Sequence, residues 1–257
     1  MTDRRTVAVT GSASGIGAAV RSRLEADGDR VIGIDLLDAE VAADLATAEG
    51  RAAAVSAVSG AAAGRLDGLV ACAGLGPHIR PPGMIAKVNY FGAIALLDGL
   101  LGALARGRDP AAVAMSSNSA GITPRHEALL AAMESNDEAA AVGLADRLDN
   151  GAVVYGASKL ALARAVRRRS APWGEAGVRL NAVAPGPVDT PLLAASRADP
   201  VLGPLVDALP VPLGRRAEPG EIAEIVAFLL SPSSGYVHGS VLFADGGSDA
   251  QLRPDAV

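Results

Sequence analysis

Tyr155 and Lys159 stand four positions apart in Tyr155-Gly-Ala-Ser-Lys159, so on a helix both side chains share one face. A free phenol titrates at about 10 and is a poor base at neutral pH. A cation about 4 Å away, at an effective dielectric of about 20, is worth roughly 4 kcal/mol. That is about 3 pKa units, enough to bring the phenol toward about 7 as a general acid/base. An oxidised nicotinamide ring would add to the pull. Taken alone the pair is also an ordinary helix-surface pair, so its meaning depends on what accompanies it. Ser116-Ser117 closes an apolar run and offers a hydroxyl for a carbonyl or alcohol oxygen, with Ser119 as a competitor. Asn89, in Val88-Asn89-Tyr90, is a polar residue inside a helical stretch, an awkward position for it.

A second constellation lies near the start of the chain. Thr10-Gly-Ser-Ala-Ser-Gly-Ile-Gly17 follows an apolar run and precedes a helical one. Glycines there let the turn tighten and a pyrophosphate approach the backbone, over the positive helix N-terminus. The spacing is Gly-x3-Gly-x-Gly rather than the commoner Gly-x-Gly-x-x-Gly, and a plain tight turn is the competing reading. Asp35 follows about 20 residues on, where an acid binds the adenosine ribose hydroxyls. A carboxylate there repels a 2′-phosphate, and neither the turn nor Leu36-Leu37 carries a base, so NAD is expected over NADP. Asp44 either accepts from the adenine amino group or is an ordinary turn acid. Ala73 and Gly74, after a further apolar run, are small enough for a cofactor to lie against the backbone. Ala184-Pro-Gly-Pro-Val-Asp-Thr190 is placed to fix a carboxamide.

The elements that must position these groups can be read from periodicity. Strands are expected at Thr6–Thr10, Arg30–Asp35, Leu66–Ala71, Ala111–Ser116, Arg179–Val183 and Ser240–Ala244, with Val41–Ala43 as a very short one. Helices fit a start near Ser14 and the segments Thr47–Ala63, Met84–Ala105, Val154–Glu175 and Pro219–Leu230, with Gly177 as a C-cap. Alternation of near-continuous apolar strands with helices means a parallel sheet covered on both faces. The expected fold is α/β: a Rossmann-type doubly wound parallel sheet in three layers, with a helical insertion before Tyr155. Residues 1–257 read as a single dinucleotide-binding catalytic domain interrupted at 118–152 and 187–217. Leu129, Leu130, Met133, Val142, Leu144 and Leu148 suggest one or two amphipathic helices in the first interruption, with Asn136-Asp137-Glu138 as turn and cap. Leu192, Leu193, Val201, Leu202, Leu205, Val206 and Leu209 give the second an apolar face, either for substrate or for packing on the body.

Composition excludes several classes. Half of the 257 residues are hydrophobic, which rules out a disordered chain. A formal net charge of −5 and the absence of a Lys/Arg block long enough for a polybasic patch argue against nucleic-acid and membrane-surface partners. Cys72 is the single cysteine, so no intramolecular disulfide forms, and no metal site is expected, since His78, His126 and His238 lack partners at ligand spacing. The start of the chain leaves no room for a signal-peptide core, and a cytoplasmic location is expected.

In their order along nearly the whole chain, Thr10-Gly-x3-Gly-Ile-Gly17, Ala71-Cys-Ala-Gly74, Asn89, Ser117, Tyr155-x3-Lys159, Pro185-Gly186 and Asp245-Gly-Gly247 resemble the short-chain dehydrogenase/reductase family. The resemblance implies that Ser117 polarises the substrate oxygen, that Tyr155 is the general acid/base, and that Lys159 binds the nicotinamide ribose and lowers the phenol pKa. It implies that Asn89 holds a water relaying protons to Lys159. It implies a cofactor site of Gly11, Ser14, Gly15, Ile16, Gly17, Asp35, Asp44, Leu45, Ala73, Gly74, Tyr155, Lys159, Pro185, Gly186, Val188 and Thr190, the last two at the carboxamide. Two features depart from the pattern. Ala71-Cys72 stands where many members carry two Asn, and Ser117 and Tyr155 are 38 positions apart, more than in most. Residues 72–77, 88–93, 173–180 and 214–219 are similar to a bacterial subgroup that uses NAD and accepts hydroxysteroids along with smaller ketones. That subgroup implies a homodimer through the helix from Pro219 and the last strand, because a helical insertion before Tyr155 would cover the surface used for tetramers. The expected activity is hydride transfer between NAD(H) and a secondary alcohol or ketone, with a bulky apolar substrate. An NAD-binding regulator without turnover, and epimerase or dehydratase chemistry on the same fold, are the competing readings.

Overall fold

The computed structural model describes residues 4–255. Seven strands, β1 (Thr6–Thr10), β2 (Arg30–Asp35), β3 (Val41–Ala42), β4 (Gly68–Ala71), β5 (Ala111–Met115), β6 (Arg179–Pro185) and β7 (Val241–Ala244), form one sheet. Their order is β3-β2-β1-β4-β5-β6-β7 and every pairing is parallel. The apolar runs are continuous because both faces are covered. Val7 and Val9 face one layer, with Val70, Val113 and Val183, beneath the helices Gly15–Ala26 and Pro219–Leu230. Ala8 faces the other layer, with Ala112, Ala114 and Ala182. These small strand residues leave room for Leu96, Leu97, Leu100 and Leu104, all fully buried. The helices Ala48–Ala61, Gly83–Leu104 and Gly151–Arg168 supply that side. The expected three-layer Rossmann-type arrangement is therefore present. The order reverses between β1 and β4, and the crevice beyond their carboxyl ends is where such sheets bind ligands.

Several boundaries differ from expectation, each for a local reason. β4 starts at Gly68 rather than Leu66, because the buried Asp67 carboxylate instead accepts from the N–H groups of Thr6 (2.9 Å) and Arg108 (2.7 Å). The helix bearing Tyr155 starts at Gly151, where the Asn150 side chain accepts from Val153 N–H at 3.2 Å. It ends at Arg168, and Ser170–Glu175 is a separate helix closed by Gly177 in the left-handed region (φ 73°). The helix Gly83–Leu104 is continuous, but Lys87–Gly92 within it is a π-turn with Asn89 inside. π-turns insert one extra residue and are frequent at functional sites, which accounts for the awkward asparagine.

Residues 118–152 hold three helices, Ser119–Ile122, Glu127–Glu134 and Glu138–Leu148. Asn136 takes a positive φ of 60° and the Asp137 side chain accepts from Ala140 N–H, as the turn-and-cap reading expects. These helices lie on their own subunit. Glu134 pairs with Arg164 and Arg168, Glu138 with Arg51, and Asp146 accepts from Gly83 N–H. Residues 187–217 hold the helices Pro191–Ala198 and Leu202–Asp207.

Candidate active site

The turn after β1 is shaped by glycines that no other residue could replace without displacement. Gly11 has φ 68°, and a Cβ there would lie 2.9 Å from the Cα of Ala73. A Cβ on Gly17 would lie 2.0 Å from the Gly11 carbonyl oxygen. The Thr10 hydroxyl accepts from the N–H groups of both Cys72 and Ala73, at 2.9 Å each, and so locks β1 to the Cys-Ala-Gly segment after β4. Sequence reasoning gave Thr10 no such role, because the partner lies more than 60 residues away. Ser14 is the N-cap of Gly15–Ala26, and its side chain makes no capping bond. The cradle fits a dinucleotide pyrophosphate: positive-φ glycines, a helix N-terminus, and the backbone of Ala73 and Gly74 closely opposed.

Asp35 ends β2 at the cavity wall, its carboxylate accepting from Ala13 N–H (3.0 Å) and Leu36 N–H (2.8 Å). It thus braces the glycine turn, and each oxygen keeps a lone pair for a ribose hydroxyl. Asp44 accepts from Ala46 N–H at 2.9 Å, the turn-acid geometry, and also lines the cavity beside Leu45. Pro185, Gly186, Val188 and Thr190 line it from β6, and the Thr190 hydroxyl caps Pro191–Ala198 through Leu193 N–H.

The chemical end lies at the carboxyl end of β5. Ser116 is committed to structure: its buried hydroxyl donates to the Lys159 carbonyl at 2.9 Å. Ser117, also buried, donates to Asn118 Oδ1 at 3.5 Å, accepts from Ser119 N–H at 3.2 Å, and lies near enough to the Tyr155 hydroxyl to pull the phenol pKa down. This geometry favours Ser117 over both neighbours. Lys159 is buried, donates to the Met115 carbonyl at 2.8 Å, and stands 5.7 Å from the Tyr155 ring centroid. Asn89 is fully buried; its amide accepts from Leu75 N–H (2.7 Å) and donates to Leu75 C=O (3.0 Å). A Cβ on Gly74 would lie 3.3 Å from Asn89 Oδ1 and 3.4 Å from Lys159 Nζ, so both atoms border one space that only glycine leaves open.

The electrostatics depart from the sequence expectation. Burial raises the Tyr155 phenol above its usual value, partly offset by the Ser117 hydrogen bond, and Lys159 does not pull it down. Burial instead lowers Lys159 to about 8. Desolvation penalises phenolate and ammonium alike, and here it outweighs their pairwise attraction. The Cys72 thiol is pushed up to about 12 by burial, so it stays protonated.

The glycine turn, Asp35, Asp44, Ser117, Tyr155 and Lys159 border one cavity of about 640 Å³, and Asn89 stands behind its wall at Leu75. Its charged lining residues are Asp35, Asp44 and Lys159. Beyond Tyr155 the walls are mostly apolar, formed by Leu192, Leu193, Leu202, Leu205, Val206 and Leu209 from the second interruption, with Ser196 as a polar member. Leu75, Ile122, Thr123, Pro124 and Ala152 also line it, and sequence reasoning missed them because no chemistry marks them. Among the described residues no cluster of His, Cys, Asp and Glu could hold a metal. His126 caps Glu127–Glu134, and His238 bridges Leu180 N–H and Ser170 C=O. Trp173 is fully buried.

A family profile described as enoyl-(acyl carrier protein) reductase matches residues 11–249. The 3-alpha-hydroxysteroid dehydrogenase/carbonyl reductase of Comamonas testosteroni is 49% identical over 96% of this chain and 98% of its own. The galactitol 2-dehydrogenase (L-tagatose-forming) of Cereibacter sphaeroides is 34% identical over 95% of each chain. The crystal structure of the 3-alpha-hydroxysteroid dehydrogenase from Pseudomonas sp. B-0831, complexed with NADH, superposes with a TM-score of 0.96. It is 49% identical, covering 98% of this chain and 100% of that one.

Proposed function

Because the chain belongs to the short-chain dehydrogenase/reductase family, we propose that it is an NAD(H)-dependent oxidoreductase acting on a hydroxysteroid or another bulky apolar alcohol or ketone. The observation that carries this reading is the Ser117–Tyr155–Lys159 group, set between a dinucleotide cradle and an apolar chamber in one cavity. NAD supplies the hydride acceptor when bound. Ser117 orients the substrate oxygen by hydrogen bonding, and Tyr155 takes or returns the proton at that oxygen. Lys159 holds the nicotinamide ribose and, when charged, stabilises the phenolate. Asn89 fixes the backbone of Leu75 with its amide, and its Oδ1 keeps one lone pair on the space shared with Lys159 Nζ. A water held there passes protons to Lys159. Val188 and Thr190 hold the carboxamide.

The chamber argues for substrate class. A polyol such as galactitol would set hydroxyls against leucine side chains without partners, at a cost of about 1–3 kcal/mol for each one left unsatisfied. A neutral, largely apolar skeleton meets no such penalty. Following nicotinamide absorbance with 3α-hydroxysteroids, cyclohexanols and polyols tests the reading, with turnover of the steroids and cyclohexanols over the polyols expected. No change with any of them would favour the regulator or the epimerase and dehydratase readings.

Asp35→Ala is expected to weaken NAD binding and narrow the preference over NADP. Losing a charge-assisted hydrogen bond costs roughly 1.5–3 kcal/mol. Steady-state kinetics with both cofactors read this directly, and an unchanged ratio would show that Asp35 only braces the Ala13 and Leu36 N–H groups.

We also infer a cytoplasmic homodimer, with residues 1–257 as one catalytic domain. The helix Gly83–Leu104 is long and apolar enough to span a membrane, but 67% of its most apolar window is buried against the rest of the fold, as in a core helix. Among the described residues the outer edge of β7 is unpaired, and Phe243 on that strand is exposed. An open edge with an exposed apolar side chain suits a second copy. The helices of residues 118–152 cover the opposite catalytic face. Light scattering is expected to give twice 25.6 kDa. A tetramer built on the Tyr155 helix would overturn the arrangement.

A further inference from the structure

The apolar chamber is closed on one side by the helices Pro191–Ala198 and Leu202–Asp207. Within this lid the polar contacts are local: Arg197 pairs with Asp207, and Asp199 caps the second helix through Val201 and Leu202 N–H. Among the described residues one hydrogen bond joins residues 191–209 to the rest of the molecule outside the 187–217 interruption. It runs between His78 Nδ1 and the Ser196 hydroxyl, 3.1 Å apart.

Three details make this contact a built one. Ser196 is 2% exposed, and its hydroxyl donates to the Leu192 carbonyl at 2.9 Å, so it accepts from the imidazole Nδ1–H. The His78 ring packs closely on Gly76: a Cβ there would stand 2.8 Å from both Cε1 and Nδ1 of the ring and 3.1 Å from Leu192 Cδ2. The loop carrying His78 is itself held at Leu75 by both ends of the buried Asn89 amide. A chain of contacts therefore runs from the π-turn through Leu75 and His78 to Ser196 and the lid.

We propose that His78 is a positioning residue that latches the lid over the substrate chamber and sets selectivity for bulky apolar substrates. The proposal rests on the chamber being the substrate site. His78 itself does not line the cavity, so its removal leaves the reacting groups and the cofactor cradle untouched. What changes is the lid's occupancy of its closed position. A small alcohol held beside Tyr155 makes little use of Leu205, Val206 and Leu209, whereas a steroid-sized skeleton needs them. Loss of one such hydrogen bond shifts an opening equilibrium by about two- to tenfold.

The test compares the parent protein with His78→Ala, His78→Asn and Ser196→Ala. Androsterone and cyclohexanol serve as large and small alcohols, and trypsin cleavage after the exposed Arg197 reports lid opening. His78→Ala is expected to raise KM for androsterone by about two- to tenfold, with kcat and KM for cyclohexanol and NADH binding unchanged. Cleavage at Arg197 is expected to accelerate by a similar factor in His78→Ala and Ser196→Ala, and no further in the double variant. His78→Asn, which keeps a donor near the Nδ1 position, is expected to restore parental behaviour. Unchanged cleavage in both alanine variants, or an equal rise in KM for both alcohols, would overturn the latch. If the parent oxidises neither alcohol, the functional reading fails, while the cleavage rates still decide whether His78 holds the lid.

Discussion

A Tyr155→Phe variant is expected to lose about 10²–10⁴-fold in turnover while binding NADH with nearly parental affinity. The substitution removes one oxygen and leaves the ring in place. Its place on the helix Gly151–Arg168, with the Lys159 Nζ 5.7 Å from the ring centroid, should persist. What disappears is the hydroxyl beside Ser117 that would exchange a proton with the substrate oxygen. Ser117 cannot substitute, because a serine hydroxyl lacks a pKa near working pH. The direction of the phenol's own shift sharpens the expectation. Burial holds Tyr155 above the usual phenol value, so in the free protein it is protonated at neutral pH and ready to donate to a ketone oxygen. Oxidation of an alcohol requires the phenolate and should rise with pH. Reduction should fall as pH approaches the phenol pKa. Stopped-flow single turnovers in both directions, with NADH binding followed by fluorescence, separate chemistry from binding. A Phe variant keeping more than about a tenth of the rate would exclude Tyr155 as the proton-transfer group.

Much of this site was legible because the chemistry is local in sequence. The glycine turn, Asp35 at the end of β2, and Tyr155 with Lys159 on one helix face each announce themselves within a few residues. Strands were legible because a sheet covered on both faces leaves uninterrupted apolar runs between turns. The π-turn was not: its apolar periodicity over Lys87–Gly92 is that of an α-helix, and only Asn89 hinted at it. The start at Gly151 was missed because Asn150 as a cap follows a run of equally good caps. Contacts between distant segments left no trace. Thr10 with Cys72, Ser116 with the Lys159 carbonyl, and His78 with Ser196 exist only once the chain has folded. The electrostatics failed for a different reason. Spacing reports which charges are neighbours, but burial decides what each costs, and burial belongs to the whole fold.

That cost supplies the second large expectation, a Lys159→Met variant that turns over poorly yet is more stable without cofactor at neutral pH. Lys159 is 4% exposed, and burial lowers it to about 8 from 10.5. Between those values the unfolded chain binds more protons than the folded one, so stability rises with pH through that window. Below about 8 the full penalty is present, and a depression of this size is worth roughly 3 kcal/mol. Methionine keeps the length and apolar body of the side chain and removes the charge. It also strands the Met115 carbonyl, which accepts from Nζ at 2.8 Å, at a cost of about 1–3 kcal/mol. The difference leaves the variant up to about 2 kcal/mol more stable at pH 7. As pH rises through 10.5 the lysine becomes neutral in the unfolded chain as well, the advantage falls away and the lost hydrogen bond makes the variant the weaker protein. Urea unfolding of the cofactor-free proteins at about pH 7 and pH 10 compares a point below the window with one near its top. A parent more stable than the variant at pH 7 would show that the ammonium is solvated or paired, and that its charge is not held at the expense of the fold. A crossover between the two pH values would mean that a cation is kept in a dry cavity against its own solvation, where a ribose hydroxyl and a phenolate can use it.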